Sequence, residues 1–136
     1  MTRKLPQFLR LQVGQRADFR CEYCLIHEDD SFLPFQVDHI IATKHGGGDE
    51  FENLAYACPH CNQFKGTDLV TFLKTYQDLV SIFHPRLHIW TDHFRVERGE
   101  IIPLTRIGEA TAKLLNLNTP ERIMLRQILT ESGSYP

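Results

Sequence analysis

The sequence predicts an α+β fold in two parts. A small half braced by a metal ion spans residues 16–66, and an extension of one helix, a hairpin and two further helices spans residues 67–136. Three observations predict it. Two Cys-x-x-Cys pairs, Cys21/Cys24 and Cys58/Cys61, are separated by 33 residues. Between them an aromatic and β-branched run, FQVDHII, leads into HGGGDE, the pattern of a strand followed by a loop. Beyond Thr67, apolar residues recur at three- and four-residue spacing, the period of an amphipathic helix.

Taken in order, residues 8–18 read as a short helix ending before the first cysteine pair. FQVDHII, residues 35–41, reads as a strand, and the glycines at 46–48 leave nothing to hold a regular element. Cys61 to Gly66 opens or closely precedes a helix. Leu69, Phe72, Leu73, Tyr76, Val80 and Phe83 then predict a helix that stops before Pro85. RLHIW, residues 86–90, reads as a strand, and HFRVERGEIIPL, residues 93–104, as a hairpin turning at Arg98-Gly99. A helix over 105–115 places Ile107, Ala110, Thr111, Leu114 and Leu115 on one face. Thr119 caps the last helix, with Pro120 in its first position and Ile123, Ile128 and Leu129 expected as core. With no linker between them, residues 1–136 read as a single domain.

Composition allows a globular chain and excludes little. Its 136 residues are 42% hydrophobic and 24% charged, and no apolar run approaches the roughly 18 residues of a membrane span. The amino-terminal stretch MTRKLPQFLRLQVGQRADFR has no apolar core of a secretory signal, so a cytoplasmic setting with reduced thiols is expected. The net charge of −2 is unevenly spread. Residues 1–20 carry +4, residues 21–53 carry −7, and residues 81–136 carry +1. A phosphate backbone would therefore reach the acidic segment only with help from bound cations and from Arg3, Lys4, Arg10, Arg16 and Arg20.

Each Cys-x-x-Cys turn offers two sulfurs to one ion, and two turns complete the tetrahedral thiolate shell that zinc favours. Such a shell has no open position, which makes the zinc structural. A redox dithiol needs only one pair, so the second pair argues against that role. His60 lies between the last two cysteines facing solvent, and His27 is a possible substitute ligand. Asp38 and His39 are neighbours, and on a strand neighbouring side chains point to opposite faces. Both could serve one site only at a strand end or bulge, which the glycine loop permits. Histidine is the usual base near neutral pH, Asp38 is a hard oxygen donor for a divalent cation, and Asn62 is held rigidly just after Cys61.

The run CEYC…VDHI…GGG…ENL…CPHCNQFKG resembles the HNH endonucleases, in the branch whose ββα-metal motif is braced by a four-cysteine zinc. The resemblance covers Arg16 to Gly66. It implies a DNA phosphodiester hydrolase acting on double-stranded DNA, with His39 as general base and Asp38 as ligand of a catalytic Mg²⁺ or Mn²⁺. Asn53 would order the loop and orient the histidine. Asn62 would be the second ligand of that ion, and Lys65 and Arg16 would meet nucleic acid. Cys21, Cys24, Cys58 and Cys61 would hold the structural zinc.

The final motif position, often histidine, is Asn62 here, which bears on metal preference. The proline that commonly follows the Asp-His-Ile run is replaced by ATKH, leaving His45 as a possible stand-in within the loop. In the extension, His84, His88 and His93 read as core or surface residues, and Arg86, Trp90 and Arg95 as possible contacts to nucleic acid. A catalytically silent, zinc-stabilised nucleic-acid-binding module is the alternative reading, which would not need Asp38, His39 and Asn62 together.

Overall fold

The computed structural model describes residues 5–136. Arg3 and Lys4, two of the basic residues expected to flank the site, lie outside them. Helix α1 (Gln7–Arg16) lays Val13 and Gly14 into the interior, where Gly14 is covered by the rings of Phe19 and Tyr56. The chain then folds into the first cysteine turn, closed by a bridge between Arg20 and His27.

Strand β1 (Gln36–His39) pairs antiparallel with β2 (Leu54–Ala57), setting Asp38 opposite Ala55 and His39 opposite Leu54. All four residues of β2 are buried, so this strand carries the centre of the small half. Helix α2 (Pro59–Lys65) follows at once, with Pro59 in its first turn and the Cys58 sulfur accepting from the Cys61 amide at its start. Helix α2 packs back against β1, so the strand, strand, helix order in sequence is also a contact in space.

Residues 67–83 do not form the predicted helix. β3 (Val70–Phe72) pairs antiparallel with β4 (Leu79–Ser81). Two β-branched or aromatic triplets, VTF and LVS, flank a turn in which Asp78 donates its amide to Thr75 and accepts from the Lys74 amide. The helical spacing of 69, 72, 73, 76, 80 and 83 is coincidental: Phe72 and Tyr76 are exposed, while Val80, Ile82 and Phe83 are buried. RLHIW is likewise not a strand. The His84 imidazole Nδ1 accepts from the amides of Arg86 and Leu87, winding the segment into a turn, and a one-turn helix α3 (Trp90–His93) follows.

The expected hairpin is present as β5 (Phe94–Glu97) and β6 (Glu100–Pro103). Its two turn residues both have positive φ, 53° at Arg98 and 79° at Gly99, the conformation that matches strand twist in a two-residue loop. Helix α4 (Arg106–Leu114) starts with Thr105 accepting from the Gly108 amide, and α5 (Pro120–Glu131) with Thr119 accepting from that of Arg122. On α4, Ala110 and Thr111 are buried and Leu115 follows them inward. On α5 the expected core face is wrong in part. Leu129 is buried, but Ile128 is exposed, and the inward stripe is Arg122, Arg126 and Leu129. The main core joins the two parts of the chain, packing Tyr23, Phe35 and Leu54 with Phe83, Phe94, Ile101 and Leu117. No described helix is long and apolar enough to cross a membrane.

The β5–β6 turn gives a direct test of this packing. A Cβ at Gly99 would lie 2.5 Å from the Ile123 carbonyl oxygen, at a backbone angle that side chains disfavour. Gly99→Ala is therefore expected to cost about 1–3 kcal/mol, read as a melting temperature several degrees lower. Unchanged melting would mean that α5 does not press on this turn.

Candidate active site and metal centre

The four cysteines converge in the core. All are buried, and their sulfurs lie within 4.8 Å of one another. Cys24 and Cys58 Sγ are 3.7 Å apart. Zinc–sulfur bonds of about 2.3 Å place tetrahedral sulfurs about 3.8 Å apart, whereas a disulfide needs about 2.05 Å. The geometry fits a four-thiolate zinc site and not a dithiol couple. Each turn aims an amide at its own first sulfur, Cys24 N–H to Cys21 Sγ at 3.5 Å and Cys61 N–H to Cys58 Sγ at 3.4 Å. Burial pushes the thiols of Cys21 and Cys61 well up, so a cation is what this cluster requires in order to ionise fully. His27 is not part of this cluster, which the four cysteines make up, and its Nδ1 accepts from the Asp29 amide at 3.0 Å.

One face of β1 carries Asp38. Its carboxylate is only 7% exposed, with Lys65 Nζ 3.0 Å from Oδ2 and the Tyr23 hydroxyl donating to the same oxygen at 3.2 Å. Burial raises its pKa, opposed by Lys65 and Tyr23. Lys65 is itself 1% exposed and donates to the His39 carbonyl at 3.2 Å. Lys65, expected to meet phosphate, is therefore turned away from solvent and toward Asp38. The side chain turns inward from the end of α2 because the buried Asp38 charge needs a counter-ion.

The other face carries His39, at the last position of β1. Its Nε2 lies 2.8 Å from Asp49 Oδ1, both side chains half-buried. An ionised carboxylate only accepts, so this contact puts the proton of the neutral imidazole on Nε2 and the lone pair on Nδ1. In the sequence Asp49 is marked only as an acid directly after the glycine run.

Asn53 continues the β1–β2 ladder beyond its last strand pair. Its carbonyl accepts from the Ile40 amide at 2.8 Å and its Oδ1 from the Ile41 amide at 2.9 Å. Its Nδ2 donates to the carbonyls of Ile41 at 3.0 Å and Gly48 at 2.8 Å. The side chain thereby staples the glycine loop to the strand end. Gly47 is required there, since a Cβ would lie 1.7 Å from the Ile41 oxygen. His45 sits exposed on a short 3₁₀ turn, Thr43–His45, in the same loop. Asn62 is half-buried on α2, next to Cys61.

Several basic and aromatic residues expected near nucleic acid serve the scaffold. Arg16 donates to the carbonyls of Phe51 and Leu54 and lies over the Phe51 ring, 3.8 Å from its centre. Arg20 donates to the Leu25 and Ser134 carbonyls. Arg86 pairs with Glu22, Trp90 donates to the Tyr23 carbonyl at 2.9 Å, and Arg95 pairs with Glu97. His84 and His88 each turn Nδ1 to a backbone amide, and His93 Nδ1 lies 2.6 Å from the Thr105 hydroxyl.

Purified protein is expected to hold about one zinc per chain. Because forming such a site is coupled to folding, Cys58→Ser should remove both the metal and the cooperative melting transition. A soluble Cys58→Ser variant with wild-type melting would contradict a structural role.

Residues 21–68 match the family model described as HNH endonuclease. The matched segment contains all four cysteines together with Asp38, His39, Asp49, Asn53, Asn62 and Lys65, and ends before β3. No curated protein and no solved structure matches the chain.

Proposed function

We propose that the HNH segment is a metal-dependent endonuclease site that hydrolyses phosphodiester bonds of double-stranded DNA, built on a zinc-braced ββα core. The contact between His39 and Asp49 carries this reading. A histidine held at 2.8 Å through Nε2 by a carboxylate keeps a basic nitrogen at Nδ1, the arrangement by which an imidazole takes a proton from water. Asn53 acts as a positioning residue, fixing the loop that brings Asp49 to His39.

A divalent ion, when bound, supplies charge neutralisation at the phosphate and the departing oxygen. Asp38 and Asn62 are the residues that would hold it, and their carboxylate and amide oxygens are hard donors suited to Mg²⁺ or Mn²⁺. The Lys65 ammonium already beside Asp38 competes electrostatically for that carboxylate, so binding is weak and activity needs added metal. The residue-21–53 charge of −7 places DNA affinity under the control of that ion and of the basic residues flanking the site. We read the extension as one folding unit with this core in a cytoplasmic protein.

The buried pair of Lys65 and Asp38 also favours a second reading, a silent DNA-binding module in which the ammonium permanently takes the place of the ion. Nicking of supercoiled plasmid with and without Mg²⁺ separates the two, since only the enzyme nicks. In the enzyme, His39→Ala should lose about 10² to 10⁴ in rate with DNA binding and zinc content retained. Asp49→Asn should slow single-turnover cleavage with the same DNA affinity. Cleavage by His39→Ala within a few-fold of wild type would remove the base from this position.

Metal choice gives a separate expectation. Wild type should work best with Mg²⁺ or Mn²⁺, and Asn62→His should move the preference toward Ni²⁺ or Co²⁺, because an imidazole is a softer donor than an amide. Highest wild-type activity with Ni²⁺ or Zn²⁺ would take Asn62 out of the metal shell.

A further inference from the structure

Helix α5 carries two cations into the core, one turn apart. Arg122 is 6% exposed and Arg126 is 0% exposed. Among the described residues, no carboxylate pairs with either. Their neutral partners are backbone carbonyls and one amide. Arg122 Nη1 donates to Leu115 at 2.8 Å and Asn116 at 3.2 Å. Arg126 donates to Gly99 at 2.6 Å, Leu117 at 2.7 Å and Asn118 Oδ1 at 3.0 Å. Carbonyls orient a guanidinium but do not cancel its charge, and two uncompensated buried cations are costly.

The second terminal nitrogen of Arg122 identifies the missing anion. Nη2 points at the thiol cluster, 3.2 Å from Cys61 Sγ and 3.9 Å from Cys58 Sγ. Four thiolates around a divalent ion carry a formal charge of −2, itself a buried ion without a carboxylate's access to water. The Arg122 guanidinium beside it offsets part of that charge. Four neutral thiols, or two disulfides, would leave Arg122 without an anion.

We infer that Arg122 is a counter-cation of the four-thiolate metal centre, so that α5, far outside the HNH segment, is part of the metal site. The inference rests on the zinc centre and is independent of nuclease activity. Arg122 makes the direct contact. Its positive charge and N–H groups offset the charge of the Cys58 and Cys61 sulfurs, which keeps both ligands in place in a core closed to water. Further contacts tie the extension to the first cysteine turn, among them Trp90 to the Tyr23 carbonyl, the Tyr135 hydroxyl to the Cys24 carbonyl at 2.7 Å and Arg86 to Glu22.

The test uses the full-length protein loaded with zinc and follows metal release to an excess of chromophoric chelator. Removing an outer partner of a metal ligand typically weakens a site roughly 10- to 100-fold. Arg122→Met, which keeps the apolar stem and removes the charge, should release zinc faster by that factor. Arg122→Lys, which keeps the charge, should lie between Arg122→Met and wild type. In cobalt-loaded protein, Arg122→Met should also shift the sulfur-to-metal charge-transfer band, which a loosened helix alone would not do. Release from Arg122→Met at the wild-type rate overturns the inference, as does faster release with an unshifted band, or an Arg122→Lys variant as labile as Arg122→Met. Should Arg122→Met fail to fold, recovery of folded, zinc-loaded Arg122→Lys supports the inference, and failure of both variants assigns the position to packing and overturns it.

Discussion

The buried four-cysteine cluster is the constraint on which the rest of the structure depends. It joins two segments far apart in the chain, the turn after α1 and the start of α2, and so fixes α2 against the β1–β2 pair. In so short a helix, little stability comes from its own hydrogen bonds. Its orientation comes from Cys58 and Cys61, and the positions of Asn62 and Lys65 follow from that. The same turn at Cys21 sets Tyr23, whose hydroxyl reaches Asp38. Sulfur geometry thus propagates to Asp38 through Tyr23 on one side and to Lys65 through α2 on the other.

Strand β1 divides its chemistry between its two faces. The alternation of a strand sends Asp38 inward to Lys65 and Tyr23, and His39 outward to Asp49. The inner pair is dry and nearly closed, and the outer pair keeps some access to water. Adjacent residues of one motif therefore meet different dielectric surroundings. Coulomb attraction across the inner pair is strong, while the outer pair is governed by hydrogen-bond geometry and the order of the loop. Asn53 supplies that order by acting as a short stretch of strand made from one side chain.

Much of this arrangement was legible in the residues. The Cys-x-x-Cys spacing, a strand within 35–41, the helix beginning near Thr105, the cap at Thr119 and the Arg98-Gly99 turn are local signals, each set by a few neighbouring residues. Residues 67–83 misled because the apolar positions fit a helical period by chance, while the β-branched triplets and the turn at Thr75–Asp78 carried the deciding preference. RLHIW misled because the His84 ring replaces backbone partners, which no apolar pattern announces. Asp49, the inward turn of Lys65 and the arginine stripe of α5 are long-range matches of charge. A charged residue reads as surface until its partner is placed beside it, and for Arg122 that partner is a sulfur 61 positions away.

The contact between Arg122 and the cysteine sulfurs also sets an order in time. Synthesis delivers all four cysteines before α5, and domains generally fold as units, beginning from the amino-terminal side. A nascent chain that captures zinc early holds a dianionic knot with no buried cation beside it, tolerable only while water still reaches the sulfurs. Closing the core around that knot has to wait for α5. Helix α5 thereby works as a completion check, and a product truncated before Arg122 would keep its cysteines in the open, where chelators and oxidants can reach them.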